Sequence, residues 1–264
     1  MVASGMVEGV GRYTREAVAG MGSAGRMVFG AIRASRDVRT WRPHATEQMM
    51  KLGVGSLPIG ILIACFTGIV LALLASYAFT NAVPRYLVGT LVQKTVMMEL
   101  APVLTGLALA GRVGANIAAE IGTMRVTEQV DALETLAYDP IAYLVTPRII
   151  AGLVMFPVVV GVAMMVGLGA GWLASMGLLD MSSEQFLKGA RFFFSEFDVR
   201  YGLVKAASFG VAVTAVGCAA GLEARGGAEG VGAAATRAVV TSAVLILVLD
   251  AFWAVVWLLG RSVV

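Results

Sequence analysis

The sequence has few charged residues and almost no cysteine or histidine. Only 14% of its 264 residues are charged and 58% are hydrophobic, whereas a soluble domain normally carries about 25% charged residues. This shortage of polar surface excludes an ordinary soluble protein. The two cysteines, Cys65 and Cys218, both fall inside apolar runs, so we interpret them as small core residues and not as a disulfide or metal ligands. The single His44 cannot form a metal site alone.

Motifs for nucleotide binding and hydrolysis are also missing. None of the four lysines follows the glycine pattern of a phosphate-binding P-loop, and the chain has no HExxH motif, paired-cysteine motif or Cys/His dyad. We therefore predict that the chain is not an enzyme and holds no metal or cofactor. Its energy must come from a gradient or from a partner protein.

Long runs without charge take up much of the chain. Leu52–Pro84 and Ile149–Leu179 contain no charged residue, and each exceeds the roughly 20 residues needed to cross a hydrocarbon core. With the shorter runs that follow, they predict an all-α, polytopic membrane protein. We place the spans at about 55–79, 88–115, 149–177, 203–222 and 238–259. Residues 51–264 would form this domain, and residues 1–50 an N-terminal helix and linker.

The N-terminal region has its own pattern. Over residues 8–40, apolar side chains such as Val28 and Ile32 share one helical arc, and Arg12, Arg15, Arg26 and Arg33 share the neighbouring one. This arrangement is typical of an amphipathic helix in the headgroup layer of an anionic leaflet. A flexible basic tail is the alternative, because several glycines weaken the helix. We do not expect a cleavable signal peptide, since no apolar run occurs in the first fifty residues.

The distribution of basic residues predicts the topology. With the N-terminus inside, thirteen of the 20 Lys and Arg residues fall on the inner side and seven on the outer side. The positive-inside bias therefore places the N-terminus, the acidic segment Ala119–Pro140 and the loop Glu223–Arg237 in the cytoplasm. Five spans then leave the C-terminus outside.

Two stripes of small residues predict close helix packing. Span one carries Gly60, Ala64, Gly68, Ala72 and Ser76 at a spacing of four, and span two carries a second stripe from Gly106 to Gly122. Such stripes allow helix backbones to approach each other in lipid. They are compatible with a homodimer, and ordinary packing within one chain explains them equally well.

Two carboxylates lie within predicted spans. Glu99 stands three residues before Pro102, and Asp250 interrupts the last span. An intramembrane carboxylate is expensive and is a functional hypothesis by default. We favour a functional role for Glu99, because the proline frees backbone groups beside it, and a structural hydrogen bond to a neighbouring helix for Asp250.

The acidic segment Ala119–Pro140 differs from the runs around it. Thr127 can cap a short helix whose first turn holds Glu128 and Asp131, with Val130, Leu133 and Ala137 aligned on another face. So short a helix is not stable alone in water. The segment therefore predicts a docking surface for another protein, and a solvated loop helix is the alternative.

The stretch "ELAPVLTGLALAGRVGANIAAEIGTMRVTEQVDALETLAYDPIAYLVTPRIIAG", residues 99–152, resembles the signature region of the MlaE/YrbE permease family. These are the membrane subunits of MCE-associated ABC lipid transporters. The likeness extends over nearly the whole chain and includes "GGAEGVGAAATRAVV" and "LVLDAFW". In that family the segment matching Glu120–Leu136 is the coupling helix that docks on a separate ATPase. The expected coupling residues are Glu120, Gly122, Thr123, Arg125, Glu128, Gln129, Asp131 and Leu133. Family members often have a basic residue just before the glutamate, whereas this chain has Met98.

The resemblance implies a multi-pass permease subunit of the bacterial inner membrane, with the N-terminus cytoplasmic. Its partners would be an ABC ATPase in the cytoplasm, an MCE-domain protein outside, a second copy of itself and a phospholipid substrate, with no nucleic acid. We expect the lipid path to be lined by Leu71, Ala75, Phe79 and Glu99. A gradient-driven secondary transporter with Glu99 or Asp250 as its proton site is the alternative, although such folds usually show internal repeats, and none is visible here. A purely structural scaffold would leave the acidic segment unexplained.

Overall fold

A computed structural model describes residues 22, 25–36, 38–79, 84–179 and 181–261, and this described part is helical, without strands. The α-helices are Val38–Leu52, Leu57–Ala78, Leu87–Thr95, Ala101–Leu109, Ala115–Val126, Gln129–Thr135, Thr146–Leu178, Ser183–Phe192, Glu196–Leu222 and Gly227–Arg261. A short 3₁₀ turn, Val54–Ser56, precedes the second helix. Three π-helical turns interrupt or precede others at Val96–Leu100, Ala110–Gly114 and Ile141–Val145.

Five helices of the described residues are long and apolar enough to cross a membrane. They cover Trp41–Ala78, Leu87–Val126, Ile141–Leu178, Glu196–Leu222 and Gly227–Trp257, and are called spans one to five below. The all-α class and the five spans are thus confirmed, and the chain is a multi-pass membrane protein. Each helix continues beyond the apolar run that predicted it, because charged residues are tolerated where a helix leaves the hydrocarbon core.

The described residues form two compact units. One comprises the described parts of Met1–Met49, Leu109–Gly152 and Val211–Val248, and the other those of Met50–Ala108, Leu153–Gly210 and Leu249–Val264. The first is called the coupling unit below because it holds the acidic segment, and the second is called the charge-cluster unit. In the charge-cluster unit, small and β-branched side chains dominate the core, and its largest buried hydrophobic members are Phe156, Phe186 and Phe209.

Both small-residue stripes are buried by packing within the chain. In the charge-cluster unit, a Cβ atom added to Gly68 would lie 2.0 Å from the carbonyl oxygen of Gly167, so spans one and three touch through their backbones. In the coupling unit, a Cβ on Gly122 would lie 3.2 Å from Ala224. Packing within one chain therefore explains both stripes, so they are no evidence for a homodimer.

Only the end of the predicted N-terminal amphipathic helix can be assessed. Residues 25–34 are helical, with Phe29 and Ile32 exposed and Ala31 buried. Arg12 and Arg15 lie outside the described residues. The interfacial position of this helix stays a prediction.

One helix of the charge-cluster unit, Ser183–Phe192, is absent from the sequence-based assignment. It begins with a capping box: the Gln185 amide donates to the Ser182 hydroxyl at 3.2 Å, and the Ser182 amide donates to the Gln185 side chain at 3.4 Å. The Ser-x-x-Gln signature was visible in the sequence. The helix packs on Leu87–Thr95, where Gly189 lies against the carbonyl of Tyr86.

Candidate functional site

Three ionisable side chains meet inside the charge-cluster unit: Glu99 from span two, Lys205 from span four and Asp250 from span five. The Lys205 ammonium lies 2.6 Å from Glu99 Oε2 and donates a hydrogen bond to it. It also lies 2.5 Å from Asp250 Oδ1, an ion pair without good hydrogen-bond geometry. We call these three residues the charge cluster. Asp250 thus contacts a neighbouring helix, through an ion pair where the sequence predicted a hydrogen bond.

Local backbone features bring Lys205 to this position. Pro102 has no N–H, so it cannot bond the carbonyl four residues earlier, that of Met98. The Lys205 ammonium donates to this carbonyl at 3.3 Å. Glu99 itself sits in the π-helical turn Val96–Leu100, a distortion often found at functional sites. Gly202 allows the approach, because a Cβ there would lie 2.3 Å from the Met97 carbonyl oxygen.

Burial differs strongly within the charge cluster. The Lys205 side chain is fully buried, whereas 43% of the Glu99 side chain is exposed. Two carboxylates against one ammonium leave the cluster with a formal charge of −1. The Lys205 ammonium also lies 5.1 Å from the centre of the Tyr201 ring, a cation–π distance. The accessible member of the cluster is therefore Glu99, held in place by a buried cation.

The acidic segment of the coupling unit forms the short helix Gln129–Thr135. Thr127 is not its cap: the Thr127 hydroxyl donates to the Thr123 carbonyl at 2.8 Å, back along the preceding helix. The capping prediction was wrong because a threonine can bond a carbonyl four residues earlier in its own helix. Glu128 occupies the N-cap position, with a left-handed φ of 61°. The chain therefore turns sharply between span two and the short helix.

Two contacts hold this helix on its own chain. Val130 is only 2% exposed, and Asp131 pairs with Arg125. The sequence pattern predicted that Val130, Leu133 and Ala137 share one accessible face. The structure differs, because Val130 is buried and Ala137 lies beyond the end of the helix with a φ of 60°. A different apolar pair is accessible: Leu136 is 68% and Tyr138 is 51% exposed. Leu133 is half-buried.

The remaining predicted coupling residues are divided between internal and exposed positions. Glu120 pairs with the buried Arg148 at 3.0 Å, and Gly122 is buried against Ala224. Thr123, Glu128 and Gln129 are exposed. The predicted residues thus comprise an internal brace and an accessible surface.

The predicted lipid-path residues of span one are mostly turned inward in the charge-cluster unit. Ala75 is 2% exposed and belongs to the core. Leu71 and Phe79 are partly buried and pack against that core. These contacts do not bring the three residues to Glu99, so their assignment to a lipid path stays a prediction.

Comparison with known proteins identifies the family. The family model described as "Permease MlaE" matches residues 45–256. The chain belongs to the MlaE permease family. It is 40% identical to a protein of Rickettsia felis named "Probable ABC transporter permease protein", over 90% of this chain and 92% of the relative. It is 34% identical to the "Intermembrane phospholipid transport system permease protein MlaE" of Haemophilus influenzae, over 92% of this chain and 94% of that protein.

The likeness is not confined to those two bacteria. A protein of Synechocystis, also named a probable ABC transporter permease protein, is 41% identical over 84% of this chain and 83% of its own length. The resemblance expected from residues 99–152 is therefore confirmed over most of the chain.

Sequence reasoning missed Lys205, the residue that organises this MlaE-family charge cluster. Lys205 lies near the start of the predicted span four and was counted among the basic residues of the outer side. The span begins at Glu196 instead, which places Lys205 more than two turns inside the helix. Its partners were visible signals, because two carboxylates in predicted spans call for a cation nearby. Lys205 supplies from another helix the positive charge that Met98 does not.

Proposed function

We propose that this chain is the permease subunit of an ABC-type transporter that moves glycerophospholipid between the bacterial inner membrane and an MCE-domain protein outside it. Two copies would assemble with ATPase subunits on the cytoplasmic side, and ATP would be hydrolysed on those separate chains. Family membership supports a transport role, and the name of the Haemophilus influenzae relative, an intermembrane phospholipid transport system permease protein, supports phospholipid as the substrate.

The observation that carries the coupling role is the surface of the acidic segment. Its short helix is anchored by Val130 and by the Arg125–Asp131 pair, and it leaves Glu128 and Leu136 exposed. An exposed apolar side chain beside an acidic one suits a partner groove with a basic rim. The ion pair between Glu120 and Arg148 then joins span two to span three, the two spans that flank the segment. A push on the segment would reach spans two and three through this brace.

Glu99 supports the lipid path. Its side chain is 43% exposed within a predicted membrane span, and its partner Lys205 is fully buried. An accessible carboxylate at this position can contact the polar headgroup of a lipid or a basic group of a partner. Leu71 and Phe79 would offer acyl chains apolar contacts where they are not covered by the core.

The coupling role is tested with the double variant Glu128→Lys and Leu136→Asp. Both side chains are exposed, so we expect normal insertion and thermal stability. The new charges oppose a basic rim and place a charge in the docking face, where an unpaired buried charge costs several kcal/mol. We expect the ATPase to be lost in pull-downs and lipid transport to fail.

The matched control is Glu196→Lys with Leu178→Asp, which repeats the two substitutions at exposed positions on the side predicted to be outer. This control should retain the ATPase. The coupling proposal is wrong if the test variant binds the ATPase with unchanged affinity, or if the control loses it equally.

The gradient-driven alternative finds less support. Both of its candidate proton sites, Glu99 and Asp250, are ion-paired to the same lysine. These ion pairs give each carboxylate a structural role, the compensation of the buried Lys205 charge, that requires no proton transfer.

A further inference from the structure

A cavity of ≈ 680 Å³ opens in the charge-cluster unit beside the first turns of span four. Its volume falls within the roughly 300–1,000 Å³ of typical small-ligand sites. The apolar part of its wall includes the rings of Phe197, Tyr201, Trp253 and Trp257. None of the predicted coupling or lipid-path residues lines it, so the cavity is not explained by the proposed function.

Three charged side chains lie at this cavity: Lys94, Asp198 and Arg200. Asp198 is 2% exposed and accepts hydrogen bonds from the Lys94 ammonium at 2.6 and 2.8 Å, so these two charges cancel. Arg200 is exposed, and within the described residues no hydrogen bond or ion pair engages its guanidinium. The charged side chains that line the cavity therefore sum to +1, carried by Arg200.

The aromatic wall is held in a fixed position. The Trp253 indole N–H donates to the Ser208 hydroxyl at 3.0 Å, and Tyr201 stacks on Phe197 with 5.9 Å between the ring centres. Indole and phenol rings favour the level of lipid headgroups in a membrane, where one end of the ring is wet and the other apolar. Arg200 lies one turn into the helix that begins at Glu196, at the end of the span that contributes Phe197, Tyr201 and Val204 to the cavity wall.

We infer that this cavity binds one anionic glycerophospholipid, with the phosphate at Arg200 and an acyl chain along Val204, Trp253 and Val256. Aliphatic and aromatic walls in a membrane-embedded unit favour an acyl chain over a water-soluble ligand. Guanidinium groups bind phosphate oxygens in a bidentate manner. The uncompensated positive charge of Arg200 in addition favours a lipid whose phosphate charge is not cancelled by an ammonium group of its own headgroup. The inference goes beyond the proposed transport function, since the site requires binding and no transport cycle.

The native tryptophans allow a direct test on the full chain. Replacing Trp41 and Trp172 with Phe leaves Trp253 and Trp257 as the fluorophores, both at the cavity. This background is reconstituted in phosphatidylcholine vesicles that contain an increasing fraction of dibrominated phosphatidylglycerol or, separately, dibrominated phosphatidylcholine. We expect the brominated phosphatidylglycerol to quench at a roughly five-fold lower mole fraction, which is the preference that one basic residue provides at a membrane surface.

Arg200→Gln should abolish this preference, whereas the control Arg191→Gln, an exposed residue outside the cavity, should preserve it. Equal quenching by the two lipids would overturn the inference, as would a preference that survives Arg200→Gln. Absence of quenching by either lipid would show that protein fills the cavity, which also overturns it. If the Phe background unfolds, the same titration uses the difference between the native chain and its Trp253→Phe variant. No ATPase is present, so the outcome is independent of the coupling test.

Discussion

Lys205 compensates two carboxylates with one ammonium group in the interior of a membrane protein. Charges in hydrocarbon are tolerated when they pair with one another or with backbone carbonyls, and Lys205 does both through Glu99, Asp250 and the Met98 carbonyl. The hydrogen bond from Lys205 to the Met98 carbonyl offsets part of the cost of burying the lysine. This carbonyl is available because Pro102 has no N–H to donate to it. At this site the departure from helix geometry and the charge cluster depend on each other.

Lys205→Met should lower stability more than loss of either carboxylate. Removing the cation leaves two carboxylates without a partner, and breaking a buried pair from one side costs about 3–5 kcal/mol. We expect a large drop in the midpoint of thermal unfolding in detergent. Glu99→Gln keeps the Lys205–Asp250 pair and should unfold near the native midpoint, yet it should lower lipid transport if Glu99 faces the lipid. Equal midpoints for Lys205→Met and the native chain would refute the central role of Lys205.

Sequence reasoning identified Glu99 and Asp250 at the residue scale, because a carboxylate stands out in an apolar run. It did not find Lys205, whose position inside the helix depends on where span four begins. Charged residues such as Glu196 and Arg200 precede it, and only tertiary structure decides whether they belong to a loop or to the first turns of a span. The burial of Val130 was missed for the same reason, since the helix periodicity does not reveal which apolar side chain faces its own chain.

Spans one and three are held at the element scale by backbone contact at Gly68 and Gly167. This close approach replaces the hydrophobic driving force that lipid cannot provide. The stripe of small residues predicted such a contact from the sequence. The partner helix was not predictable, because several helices carry small residues at the same spacing.

Gly68→Ala should separate these two spans. The added Cβ would lie 2.0 Å from the carbonyl oxygen of Gly167, a backbone atom that cannot move without moving its helix. Overpacking of this kind costs about 1–3 kcal/mol, so the unfolding midpoint should fall. Gly169→Ala is the matched control in span three: its Cβ would meet nothing within 4 Å, and alanine favours the helix by up to about 1 kcal/mol. A Gly68→Ala chain as stable as the Gly169→Ala chain would contradict the contact.

The short helix of the acidic segment was predictable from the sequence, but its boundaries were not. Its acidic first turn and its aligned apolar residues predicted a short helix, and the helix is present at Gln129–Thr135. Its boundaries depend on two left-handed residues, Glu128 and Ala137. Neither residue is a glycine, so the residue type does not predict a left-handed turn at either position. Conformations of this kind persist only when the surrounding structure enforces them.

The proposed function depends, at the scale of the whole molecule, on which side of the membrane each loop occupies. Thirteen of the 20 basic residues are assigned to the side of the N-terminus and of the acidic segment, and the positive-inside bias predicts that this side is cytoplasmic. Lys205 was counted on the other side, and its place inside a span reduces the outer total further. Basic residues counted on the inner side, such as Arg112 and Arg148, lie inside spans as well, so the bias keeps its direction and the orientation stays a prediction.

Two single-cysteine chains test this orientation. Cys65 and Cys218 are first replaced by Ala, because both are free thiols within spans; Glu128→Cys and Glu196→Cys are then made separately at exposed positions. ATP is available only in the cytoplasm, so a coupling segment must lie there. We expect a membrane-impermeant maleimide to label Glu196→Cys in intact spheroplasts and Glu128→Cys only after the membrane is permeabilised. Labelling of Glu128→Cys in intact spheroplasts would invert the topology, and the segment could then no longer contact a cytoplasmic ATPase.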